Sequence, residues 1–178
     1  MTEQARSAAA LAAAAALAAA AVAAGWLVAG LAPDAHAAPP GDARAPLELS
    51  SFPRTALTIT THARQRHTFD VWVADTPERA EQGLMYVRDL PANRGMVFVF
   101  PEPRVEMMWM KNTYIELDML FIDAGGRVVK IIARATPLSL ATLSSDVPVA
   151  SVLELKGGEA ARLGLANGDV VSWKMPGG

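Results

Sequence analysis

The chain of 178 residues contains no cysteine. That excludes disulfides, thiolate metal sites, a cysteine nucleophile and lipid attachment through an N-terminal cysteine. Net charge is equally scarce: 16 basic residues stand against 18 acidic ones, for a net of −2. Nucleic-acid binding driven by bulk charge needs a basic face, and this balance supplies none. Only three histidines occur. No phosphate loop or dinucleotide fingerprint is present, so no cofactor is expected. Serines are plentiful across Ser139–Ser145, but without a Gly-x-Ser-x-Gly elbow or a partnered histidine they do not indicate a serine hydrolase. There is no internal repeat.

Hydrophobic residues make up 52% of the chain, and their distribution is uneven. Nineteen alanines fall in residues 1–37, so the excess belongs to a leader and not to a core. Met1 to Arg6 is short and polar. Residues 7–32 carry no charge, Pro33-Asp34 breaks any helix, and Ala35-His36-Ala37 fits the small-x-small rule. This is the layout of a secretory signal peptide cleaved after Ala37. The uncharged run of 26 residues also approaches the ~20 needed to span a bilayer, so a retained N-terminal anchor is the alternative. Either way the remainder is expected to be exported, periplasmic or extracytoplasmic, with the membrane touched only through that segment. Residues 38–56, rich in Pro, Ala and Ser, read as a linker. A single domain is expected over 57–178.

Within the domain, Leu57–Thr61 and His67–Ala74 read as a hairpin turning near Arg64-Gln65, with Phe69, Val71 and Val73 on one face. Thr76-Pro77-Glu78 is a helix start, and Gly83 a stop, giving a helix over Pro77 to Gln82. Met96–Phe100 is a strand ended by Pro101-Glu102-Pro103, and Val105–Met110 a second extended stretch. Tyr114–Ile122 and Arg127–Ala133 form a hairpin around Asp123–Gly126. Ser151–Leu155 is a strand, Glu159–Leu163 a short helix closed by Gly164, and Val170–Lys174 the last strand. The fold class is therefore mainly β (β-rich α+β): a small curled or barrel-like antiparallel sheet with two short helices.

The densest polar and aromatic cluster is Trp109 to Asp123. On a strand, Glu116 and Asp118 point to one face with Cα atoms about 6.5–7 Å apart. Two carboxylates at that spacing can divide acid and base roles or hold a hard cation. Lys111 and Asn112 precede them and can fold back over that face, one supplying a mobile charge and the other a donor and an acceptor. The plainer alternative makes Glu116 and Asp118 a solvated strand face, or Asp118 a buried acceptor for amides of the Met110–Thr113 turn. Arg88 can clamp an anion bidentately or simply pair with Asp89 or Glu81. His62 and His67 would oppose each other across the first hairpin, yet no third ligand is evident and no metal site is expected. The methionines, Met85, Met96, Met107, Met108, Met110 and Met119, could suit a soft metal but read as core filler.

Several separated motifs resemble the DUF192 (UPF0127) family: Gly83-Leu84-Met85, Arg88, Leu90, Gly95–Phe100, Trp109–Thr113, Leu117–Asp123 and Val152–Leu155. Gly158, Ala161, Leu163–Leu165 and Gly168–Val170 extend the likeness, which covers Phe69 to Val171. The resemblance implies a small, mainly β domain that often follows a signal peptide in bacteria. It implies no reaction, and no catalytic residue carries over. Met107-Met108 and Arg134–Thr136 depart from the pattern and would alter the rim of a pocket. Three functions follow. The first is a non-enzymatic module binding a small polar ligand or an envelope component through Trp109, Lys111, Asn112, Glu116, Asp118 and Arg88. A scaffold of the cell envelope, docking through Val105–Met110, is the second. The third is a carboxylate-based hydrolase or lyase acting on a cell-wall or sugar-like substrate.

Overall fold

The computed structural model describes residues 45–177. The leader over 1–37 and the first part of the linker, residues 38–44, lie outside the described residues. Order begins earlier than the composition of 38–56 suggests. Leu49–Ser51 forms a 3-10 turn, Phe52 is buried, and Leu57 lies in the middle of the first strand. The strands are β1 (Arg54–Thr60), β2 (Arg66–Ala74), β3 (Arg94–Met108), β4 (Leu117–Ile122), β5 (Val128–Ala135), β6 (Leu143–Lys156) and β7 (Val170–Trp173). The helices are α1 (Pro77–Gln82) and α2 (Glu159–Leu163). Among the described residues, no helix is long and apolar enough to cross a membrane.

The seven strands form one sheet in the order β5-β4-β6-β3-β2-β1-β7. All pairs are antiparallel except β2 with β3, which run parallel across the α1 crossover. The sheet curls until its edges meet: an isolated bridge joins Arg127 beside β5 to Val170 of β7. Asp169 fixes this closure. Its buried carboxylate accepts from the His62 amide (3.0 Å), His62 Nδ1 (2.8 Å) and the Ala166 amide (2.8 Å). His62 is thereby drawn away from His67, which pairs with Ile59 instead. The two histidines do not face each other.

Two strands are longer than expected, for one reason. β3 runs straight through Pro101 and Pro103. Val99 pairs with Ser151 and Arg104 with Val149, so residues 100–103 bulge opposite Ala150 alone. A bulge leaves amides unpaired in any case, so prolines, which lack the N–H, sit there without breaking the ladder. A second irregularity lies between Val105 and Met107. Ser145 fills it, its hydroxyl accepting from the Glu106 amide (2.9 Å) and donating to the Val147 carbonyl (2.7 Å).

Both faces of the sheet are covered. One apolar cluster contains Leu57, Val71, Val97, Leu120, Leu153 and Leu155. The other contains Leu84, Met96, Phe98, Met110, Met119 and Val152. β4 and β6 are interior strands of the sheet and contribute residues to each. That explains why all six residues of β4 are buried where one solvated face was expected.

Candidate functional site

The segment expected to hold a single site is divided among three places. Asp118 shares the side of β4 with Leu120 and Ile122 and is 0% exposed. Its Oδ1 accepts from the amides of Arg134 (2.8 Å) and Gly158 (3.0 Å), and its Oδ2 from the amide of Ala160 (2.7 Å). Arg134 has a positive φ of 48° in the β4–β5 irregularity, and Gly158 has φ 92° at the start of α2. The carboxylate therefore gathers amides that neither the ladder nor the helix can satisfy. These amides are not those of the Met110–Thr113 turn. Glu116 lies outside β4, half exposed, and pairs with Arg134 Nη1 at 2.7 Å. Asp118 has no open face to share with it, and Lys111 makes no hydrogen bond or ion pair to either carboxylate among the described residues.

Arg88 and Asn112 meet elsewhere. Asn112 turns the chain with φ 56°, and its Nδ2 donates to the Tyr86 hydroxyl at 3.1 Å. Tyr86 packs edge-on to Tyr114, with ring centroids 6.3 Å apart, and the Arg88 guanidinium lies 4.7 Å from the Tyr114 centroid. This is a cation–aromatic shelf holding the loop before β4 against the loop after α1.

Trp109 belongs to the third place, a cleft of about 380 Å³ on the Phe98 side of the sheet, and Lys111 is near it only through the Trp109 ring. Trp109 is 47% exposed at its edge, with Lys111 Nζ 5.1 Å from the indole centroid. Ala80, Gly83, Leu84 and Met85 form one wall. Gly83 is required there: its φ is 50°, and a Cβ would stand 2.9 Å from Phe98 Cζ. Phe98, Phe100, Met107 and Met108 also line the cleft, as does the Arg104–Glu106 ion pair (2.7 Å), with Arg104 exposed and Glu106 largely covered.

Glu154 also lines this cleft, and sequence reasoning passed over it within the Val152–Leu155 motif. It is the one ionisable side chain in an alternating apolar run, which was the available signal. Val152 and Glu154 face one way and Leu153 and Leu155 the other. Its neighbours across the ladder are Met96 of β3 and Met119 of β4. Only 4% of the residue is exposed, and its Oε2 has no hydrogen-bond partner. No ion pair compensates the burial, so desolvation pushes the carboxyl up to about 8. At neutral pH it is a protonated acid, able to donate one hydrogen bond and accept others. Buried polar groups are ordinarily satisfied, and this one, lining a cleft, is not.

A curled β-sheet domain with a ligand-sized cleft between its α1 wall and the end of β3 is thus the class of protein defined here. The family model DUF192, described as an uncharacterized ACR, matches residues 58–173. The chain belongs to this family. Two solved structures are similar to it over most of their length. One is a proposed transcription regulator from Sinorhizobium meliloti 1021: 43% identity, TM-score 0.68, covering 69% of this chain and 95% of that one. The other is a protein of unknown function from Novosphingobium aromaticivorans DSM 12444: 37% identity, TM-score 0.68, covering 74% of this chain and 94% of that one. No curated protein matches the chain.

Proposed function

We propose that this is an exported, non-enzymatic binding module whose cleft receives a small polar ligand, with Glu154 as its anchoring group and Trp109 at its edge. The observation that carries the reading is the unpartnered Glu154 carboxyl on a floor otherwise made of apolar side chains. A volume of about 380 Å³ suits a metabolite-sized molecule and falls at the small end of the ~300–1,000 Å³ typical of such sites. Binding is preferred to turnover because acid–base chemistry usually divides its roles between two groups. The cleft has one acid buried without a partner, while of its other lining carboxylates Glu81 is exposed and Glu106 is held by Arg104. Export rests on the leader at residues 1–37. The regulator role proposed for the Sinorhizobium protein finds no support in a chain of net charge −2.

The test is a thermal-shift screen of polar fragments against wild type and Glu154→Leu. Fragments that raise the melting temperature of wild type should lose their effect in the variant. If no polar class shifts wild type, the reading fails. A scaffold role is the second reading, favoured by Met107, which is 69% exposed, and by exposed Val105 and Val147 on the same β3–β6 arm.

A further inference from the structure

We propose that the ligand of this cleft is an organic cation: a primary ammonium seated on the Glu154 carboxylate, its apolar body lying against the methionine and aromatic walls. The inference rests on the cleft being a ligand site and names the chemistry of its occupant.

The lining argues for it by what is left over. The donors are largely engaged. The Gln82 amide is tied to Leu47 on both sides, the Thr113 hydroxyl donates to the Lys111 carbonyl, and Arg104 holds Glu106. Apart from the Trp109 indole at the edge and the exposed Glu81 carboxylate, the lining polar atoms without a partner are the oxygens of Glu154, which are buried. No lysine or arginine pairs with Glu154, so an anionic ligand would meet a desolvated floor with no counter-charge. The remaining lining is electron-rich: thioether sulfurs of Met85, Met107 and Met108, and the rings of Phe98, Phe100 and Trp109. Two of those rings already attract cations from the protein itself. Arg104 lies 4.6 Å from the Phe100 centroid, and Lys111 is on Trp109. The quadrupole of an aromatic face attracts a cation, and more strongly when water is excluded.

The charged groups facing the cleft are Glu81 on α1, Arg104 and Glu106 on β3, and Lys111 over Trp109. The neighbour of Glu154 on β4 is the neutral Met119, and no histidine lines the cleft. Proton balance then defines the binding step. An ammonium with a value near 10.4, as for lysine, arrives charged. The Glu154 O–H bond breaks, its proton leaves to solvent, and the carboxylate accepts N–H hydrogen bonds from the ligand.

The experiment titrates the full chain with n-hexylammonium, n-hexanol and n-hexanoate by calorimetry in two buffers of different ionisation enthalpy. Hexylammonium should bind best, release close to one proton at pH 6–7, and tighten about tenfold between pH 6 and pH 7. Glu154→Gln, an uncharged isostere of the protonated acid, should fold normally and lose both the proton release and the pH dependence. Equal or better binding of hexanol or hexanoate, or unchanged hexylammonium binding by Glu154→Gln, overturns the cation assignment while leaving a polar-ligand cleft in place. Failure of all three probes to bind at millimolar concentration, with no fragment effect in the thermal screen, overturns both readings.

Discussion

Replacing Asp118 by alanine removes the acceptor for three backbone amides at once, at 2.7–3.0 Å, in a site fully closed to water. Hydrogen bonds to a charged group contribute about 1.5–3 kcal/mol each, so a simple sum runs to about 4.5–9 kcal/mol. That sum overshoots, because α2 has only five residues and can fray to let water reach the Gly158 and Ala160 amides. The Arg134 amide, held within the sheet, keeps its full penalty. A loss of about 3–5 kcal/mol is the expected outcome, a large share of the ~5–15 kcal/mol that holds a domain together. Asp118→Asn keeps an oxygen for Arg134 and Gly158 but turns an N–H toward that of Ala160, and should cost about 2–3 kcal/mol. Urea unfolding at pH 7 measures both, with an unchanged slope showing that the unfolded ensemble is the same. Amide exchange should accelerate first at Gly158 and Ala160. A loss below about 1 kcal/mol for the alanine variant would refute the assignment of Asp118 as an organiser of the β5–α2 corner.

Glu116→Ala, two residues away, should cost no more than about 0.5 kcal/mol in the same titration, because its ion pair with Arg134 is half exposed. Glu154 gives stability a pH signature. Its folded value of about 8 lies above the ordinary 4.5, so its contribution is complete below about pH 4.5, declines as the pH rises, and is lost above about 8. Melting temperatures should therefore fall across pH 5–8 for wild type, and Glu154→Gln should flatten that decline and exceed wild type at pH 8. Glu154→Leu should stabilise by about 1–3 kcal/mol at pH 7, the usual effect of replacing a residue kept for function in an apolar site. A destabilised leucine variant would instead mark Glu154 as part of a hidden network. Gly95→Ala drives a Cβ into the Glu154 carbonyl oxygen between β3 and β6, whereas Gly164→Ala meets nothing within 4 Å. Denaturant midpoints should show the first costing several kcal/mol and the second about 1 kcal/mol, from its left-handed backbone alone.

Local signals in the sequence were legible where the chain consults only its neighbours. The Thr76 cap and Gly83 stop bracket α1 at the expected residues, Gly164 closes α2, and the Asp123–Gly126 turn joins β4 to β5. Legibility failed where a distant partner decides. Leu143–Ala150 is too polar to read as a strand, and it becomes one because β3 pairs with it across two bulges. The parallel β2–β3 pair depends on the α1 crossover, which no residue pattern encodes. The expected site suffered the same way. Glu116 and Asp118 are two apart and should share a polar face, yet the curl of the sheet covers one and leaves the other with Arg134. Glu154 was visible as a misfit acid in an apolar run, but only the walls brought by α1 and the end of β3 turn that misfit into a cleft.

The order of strands sets the order in which the chain can be assembled. β6 stands between β4 and β3, so the strand that joins the two parts of the sheet is next-to-last in sequence. Until residues 143–156 are available, β1–β3 and the β4–β5 hairpin are two fragments with nothing to join them. High sequence separation of this kind slows folding, and the exposed edges of β3 and β4 are sticky meanwhile. The domain therefore has no stable half. The chain must be complete through β6 before it can fold at all, and a truncation anywhere before β6 should yield aggregate and not a smaller domain.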